Sequence, residues 1–369
     1  MSFELKLIFS LFFAGYFLYY IFSKNYVKTY IPFMGFGYLI GPFGWNILNL
    51  QGSETIQFFL FPATFILGLQ MGKSFKSSFW KKFPLEPFLS NLLEKIILIL
   101  LFLSVFFLVI PNFAFIPVSF PFYLSIVAFS SSLFFARFMQ HQLKESRFLY
   151  FEINNIIIMI LFTIFYLVFP PSLKTYAVAS SSLQLTCFLV YATLLFLTVK
   201  LRIDDNTFNI ILWLSLILLG AAFSQIIGFS AIIIGFATGL FSNFASARKQ
   251  IILKRFFYFF NEYIIILFLF MAGFLMELSF PMLILALVYL AIRIFARILM
   301  RLLNAKKISF QGFFRKDIFL LFQGEYFLAF MIIYALEYRF NQILSIALIS
   351  LLFSEILINY YHFHYKEKA

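Results

Sequence analysis

Three short polar clusters interrupt runs that are otherwise apolar, and their side chains are of types that bind ions or move protons. Glu152, Asn154 and Asn155 place a carboxylate and two amides at the start of the run Ile156 to Phe169. Ser130, Ser131 and Ser132 interrupt a second run, and Gln323, Gly324 and Glu325 a third. Arg293 adds a positive charge in the middle of a fourth. Burying such groups away from water is costly, so inside a membrane they face partners or an ion path. Arg293 and Glu325 lie roughly mid-span and are expected to meet each other or other polar groups, as a packing ion pair or as part of an ion pathway. Serine in a membrane helix often serves packing alone. Ser hydroxyls can also satisfy freed backbone groups and Gly admits unusual dihedrals, so the serine and Gln-Gly-Glu runs are candidates for broken helices that turn half-helix ends towards an ion.

The remaining polar residues in apolar runs read more plainly. Glu94 and Lys95 stand near a basic loop, and their long stems are expected to snorkel to the interface. Glu262 and Glu355 lie within two turns of basic segments and read as interfacial. The single cysteine, Cys187, permits no disulfide framework within one chain, and His141, His362 and His364 form no zinc or haem set. Paired carboxylates, a His cluster or a nucleophile with a base are missing, so no enzyme and no cofactor is expected.

The elements that must position these residues are membrane helices. The chain of 369 residues is 63% hydrophobic and 12% charged, too little polar surface to cover a water-soluble globule. The 60 Phe residues are a composition bias that suits lipid-facing helices. Thirteen apolar segments follow, at about 5–23, 30–48, 54–72, 88–110, 118–138, 148–169, 173–199, 207–223, 226–244, 256–276, 279–300, 315–337 and 341–361, most near the ~20 residues a bilayer needs. The first, which ends at Lys24, is too long for a signal-peptide core and lacks its cleavage site, so it reads as a span. Most of the 28 Lys and Arg fall in alternate loops, from Lys24 and Lys28 in the first to Arg315 and Lys316 in the eleventh, while the opposite loops hold Lys174 and Arg339. By the positive-inside rule the N-terminus is outside and the C-terminus cytoplasmic. The net charge of +13 is thereby explained by topology, and nucleic acid is not an expected partner.

An odd span count fits two inverted six-helix halves around a linker. GYLIG (Gly37 to Gly41) in the second span matches GFATG (Gly235 to Gly239) in the ninth. GLQMG (Gly68 to Gly72) in the third answers GFLMEL (from Gly273) in the tenth, and the serines of the fifth answer Gln-Gly-Glu in the twelfth. Singly, a G-x-x-x-G spacing signals close helix packing. Three matches in the same order suggest a repeat.

At this point the chain resembles the monovalent cation:proton antiporters, the sodium/hydrogen exchanger family, and especially the Kef-type potassium/proton branch. GYLIGPFGWNIL with FILGLQM, GFSAIIIGFATGLF, FLFMAGFLMEL and RKDIFLLFQGEYFLAF are similar to that family's segments, in its order, from about residue 30 to 355. The resemblance implies an all-α polytopic fold of about 13 transmembrane helices, with inverted six-helix repeats and two broken crossing helices. Residues 1–75 and 205–278 would form a scaffold and dimerisation part, 86–170 and 279–362 a mobile core, and 171–204 a linker helix. It further implies a homodimer in a bacterial inner (cytoplasmic) membrane, exchanging Na+ or K+ for protons by elevator-type alternating access. Ser131 and Ser132 match the family's first broken helix, Glu325 the glutamate of the second, and Arg293 the cation that pairs with the ion-site carboxylate. The nucleotide-binding regulatory domain of Kef-type relatives is not expected after the last span, which leaves gating to the membrane domain or to an unidentified regulatory partner.

One departure from the family bears on mechanism. Asn154 and Asn155 align with a pair whose second member is an aspartate that binds ion and proton in turn. An amide offers a carbonyl oxygen to a cation but no titratable proton near neutral pH. Glu152, three residues earlier and ~4.5 Å along a helix, is one substitute for the missing carboxylate. Glu325 is the other. If neither serves, the chain is an uncoupled or transport-inactive member of the fold, acting as a scaffold or sensor.

Overall fold

The computed structural model describes Lys6, Phe13, Phe17 and Pro117 and residues 31–47, 53–75, 85–109, 119–128, 145–169, 181–200, 205–304, 325–338 and 340–366. The rest of the first expected span and Ser130 to Ser132 lie outside them. The described residues form helices and no strands: α1 (Ile31–Ile40), α2 (Ser53–Ser74), α3 (Leu85–Val109), α4 (Ser119–Val127), α5 (Glu145–Val168), α6 (Ser181–Lys200), α7 (Asn206–Ile227), α8 (Ala231–Ser242), α9 (Ala247–Phe274), α10 (Phe280–Asn304), α11 (Glu325–Glu337) and α12 (Gln342–Lys366). The protein is all-α. Among the described residues one helix, Asn206–Ile227, is long and apolar enough to cross a membrane, and shorter apolar helical stretches include Phe280–Ala296 and Gln342–Ser354.

Local chemistry sets the helix ends. Asp205 caps α7, its carboxylate accepting from the Thr207 amide at 2.8 Å. Gly228 closes the same helix with φ 74°, a left-handed conformation that a residue without Cβ adopts readily, and its amide donates to Gln225 O at 3.3 Å. At the end of α8, Asn243 Nδ2 donates to the Phe75 carbonyl at 2.6 Å and to Gly72 O at 3.3 Å, tying that turn to the end of α2.

The chain divides into two compact units. The first comprises Met1–Phe9, Asn49–Phe83 and Pro171–Phe268. Here α2 and α8 pack together at backbone contact distance: a Cβ on Gly68 or Gly72 would collide with the Ile232 or Phe236 carbonyl, and one on Gly235 or Gly239 with that of Phe65 or Leu69. Each helix thus presents its G-x-x-x-G groove to the other. Helix α7 packs on α2, α6 and α8, burying Trp213, Leu216 and Ile217 while leaving Ile211, Leu218 and Leu219 exposed.

The second unit comprises Ser10–Leu48, Pro84–Pro170 and Leu269–Ala369. Helix α10 packs on α12 and α3, α3 on α4 and α5, α4 on α5, and α11 on α12. Within this unit α1 meets the end of α9 in a second close crossing, where a Cβ on Gly41 would sit 2.7 Å from the Phe274 carbonyl oxygen and one on Gly273 would strike that of Met34. Its core is strongly aromatic, with Tyr123, Phe162, Phe165, Phe330 and Tyr334 in mutual ring contact.

Candidate functional site

Helix α5 carries the amides of the proposed ion site. Its Ile153–Met159 stretch is buried throughout, and within it Asn154 and Asn155 are each 2% exposed. Amides this deep must be held by polar partners or ligands. Glu152 is described through the backbone of α5, three residues before Asn155, and Glu325 through the backbone at the first residue of α11.

Arg293 reaches the site region from α10, where it is 1% exposed. Its Nε donates to the Ala128 carbonyl at 2.9 Å, and its guanidinium carbon lies 5.7 Å from the Tyr289 ring centre. Ala128 follows the last residue of α4, where a helix leaves carbonyls unpaired and its dipole favours a cation. The guanidinium answers both needs, and the ring below adds a cation–π contact. Ser131 and Ser132 continue the chain just beyond Ala128 and lie outside the described residues, as does the side chain of Glu325, the expected partner of Arg293.

Lys95 departs from expectation. It does not snorkel but is 1% exposed within the protein. The cause is its register on α3: Lys95, Leu98 and Phe102 stand at i, i+3 and i+7, and the latter two are fully buried. Among the described residues the second unit therefore buries Lys95, Arg293, Asn154 and Asn155 on α3, α10 and α5, with α3 in contact with both other helices.

A further polar group escaped the sequence reading. Glu337, the last residue of α11, is 9% exposed, and the Tyr166 hydroxyl of α5 donates to its carboxylate. Glu337 closes an apolar segment just before Arg339, Asn341 and Gln342, so the sequence does not set it apart from the charges of that loop; the signal available was Tyr334 one turn before it and Tyr338 beside it.

In the first unit, beyond the apolar part of α2, Lys73 Nζ donates to the Gln250 carbonyl at 2.9 Å and lies 5.3 Å from the Phe257 ring centre. Burial, and then the neighbouring Lys254 charge, lower its pKa from 10.5 to about 8.

Compared with known proteins, the chain matches no protein-family model and no curated sequence at a significant level.

Proposed function

We propose that this protein is a polytopic membrane transporter that exchanges a monovalent cation, Na+ or K+, for protons by alternating access. The observation that carries the proposal is the pairing of the glycine crossings. The sequence repeat relates the second span to the ninth and the third to the tenth. Exchanging those labels turns the α2·α8 crossing, third span on ninth, into the α1·α9 crossing, tenth on second. The two contacts, each made backbone to backbone, are the ones an inverted repeat requires of each other. Exposed large apolar side chains, such as Leu185 and Phe188 on α6 and Leu218 on α7, suit a lipid-facing surface better than water.

In this reading Arg293 fixes the end of the broken α4 run, with Ser131 and Ser132 just beyond it. Asn154 and Asn155 offer amide oxygens to the cation. The exchanged proton is carried by Glu152 or Glu325, since Asn155 has none to exchange. The buried amides also support a second reading, an uncoupled or transport-inactive member of the same fold that acts as a scaffold or sensor.

Proteoliposomes with an imposed pH gradient separate the two. Cation-dependent collapse of the gradient in wild type, lost in Glu152→Gln, is the expected result for coupled exchange with the carboxylate moved by one turn. A silent wild type that gains the response in Asn155→Asp would establish the second reading instead.

A further inference from the structure

Glu337 presents an unusual balance of hydrogen bonds. Its Oε2 is buried and, among the described residues, has no hydrogen-bond partner. The Tyr166 hydroxyl donates to the carboxylate, yet the other phenols beside it are committed elsewhere. Tyr123 of α4 donates to the Phe330 carbonyl, Tyr338 to the Phe169 carbonyl, and the Tyr334 hydroxyl pairs with Ser119 at 2.9 Å. Tyr123 of α4, Tyr166 of α5 and Tyr338 just after α11, with Tyr334 one turn before it on α11, are the titratable groups that the described residues bring near Glu337. No basic side chain pairs with it among the described residues.

A buried carboxylate oxygen without a donor loses the hydrogen bonds water would give it. A metal cation would need several oxygens to replace its hydration shell, whereas the site is walled by aromatic rings whose hydroxyls already serve backbone carbonyls and Ser119. A proton needs the one free oxygen. We propose that Oε2 of Glu337 is a proton-binding site, with Tyr166 as the positioning residue that holds the carboxyl group. The proton adds to Oε2 as H+ to give the carboxylic acid and leaves as H+, with no other reactant. Glu325 and Glu337 begin and end α11, twelve residues and so ~18 Å apart along its axis. Resting on the exchange reading above, Glu337 is then a waystation between the level of Glu325 and the membrane face at which α11 ends.

The test is infrared difference spectroscopy of the full chain in lipid nanodiscs, stepped between acid and alkaline buffer. Wild type is expected to show a protonated-carboxyl C=O band that titrates, that is lost in Glu337→Gln and that shifts in Tyr166→Phe, which keeps the carboxyl but removes its donor. A Glu337→Gln spectrum that superposes on wild type, or a band unmoved in Tyr166→Phe, overturns the site. The liposome assay is read separately: without cation-dependent proton flux the waystation role falls, while the infrared band still decides whether Glu337 binds a proton.

Discussion

Arg293 shows how a buried charge is accommodated at the end of a helix. Nε on the Ala128 carbonyl and the guanidinium near Tyr289 place it at the end of α4. Arg293→Ala is expected to lower stability by about 1–3 kcal/mol, since it strands a carbonyl at a helix end; an unchanged melting temperature in detergent would count against this anchoring role. Lys73 gives a prediction in pH. Its ammonium is disfavoured in the folded state, with a pKa of about 8 against 10.5, so between those values the unfolded chain binds more protons and stability rises with pH. Below about 8 both states are protonated and the cost of burying the charge is borne in full. Lys73→Met is expected to remove that part of the slope, seen as a wild-type-minus-variant difference in unfolding free energy that grows across the window. A parallel pair of curves would show that Lys73 does not titrate there. At this scale the sequence showed which groups were costly to bury but not where each ended. That Arg293 needs a polar partner follows from its position in an apolar run. That Lys95 turns inward depends on which face of α3 is covered, and the burial of Glu337 depends on Tyr123 and Tyr166, which lie far from it in the chain.

Helices carry the clearest link from sequence to packing. The described helices coincide closely with many of the apolar segments, as with α2 over the expected 54–72 and α5 over 148–169, because length and hydropathy are local properties of the chain. The G-x-x-x-G spacings marked grooves as well, but spacing on one helix does not name the helix that fills the groove. The repeat linked GYLIG with GFATG as equivalent segments; the structure packs GFATG against GLQMG. Equivalence and contact are different relations, and contact depends on how distant helices fold together. Gly68→Val and Gly235→Val each push a side chain into a facing backbone carbonyl that cannot rotate away, and each is expected to cost about 1–3 kcal/mol. Gly35 on α1 is the control, with nothing within 4 Å of a Cβ; Gly35→Ala is expected to be neutral or to stabilise by up to ~1 kcal/mol. Equal losses at all three positions would mean that helix propensity, not the close crossing, governs these glycines.

For the whole molecule, the proposed exchange makes the direction in which the chain would cross the bilayer the decisive quantity, because that direction would determine which solution each carboxylate meets. Basic residues collect in alternate loops, and retaining them on the cytoplasmic side is what orients short loops during insertion. If that distribution orients the chain, the loops with Lys24 and Lys306 face the cytoplasm and those with Lys174 and Arg339 face outward, so Glu337 at the end of α11 lies towards the outer solution. The lone cysteine makes the test clean. In a Cys187→Ser background, Lys174→Cys and Arg339→Cys are expected to react with a membrane-impermeant maleimide in intact cells, and Lys24→Cys and Lys306→Cys only after the cells are opened. The opposite pattern would reverse the topology and assign Glu337 to the cytoplasmic side. Labelling at all four positions in intact cells would show that the segments between them do not form the alternating spans on which the exchange mechanism depends.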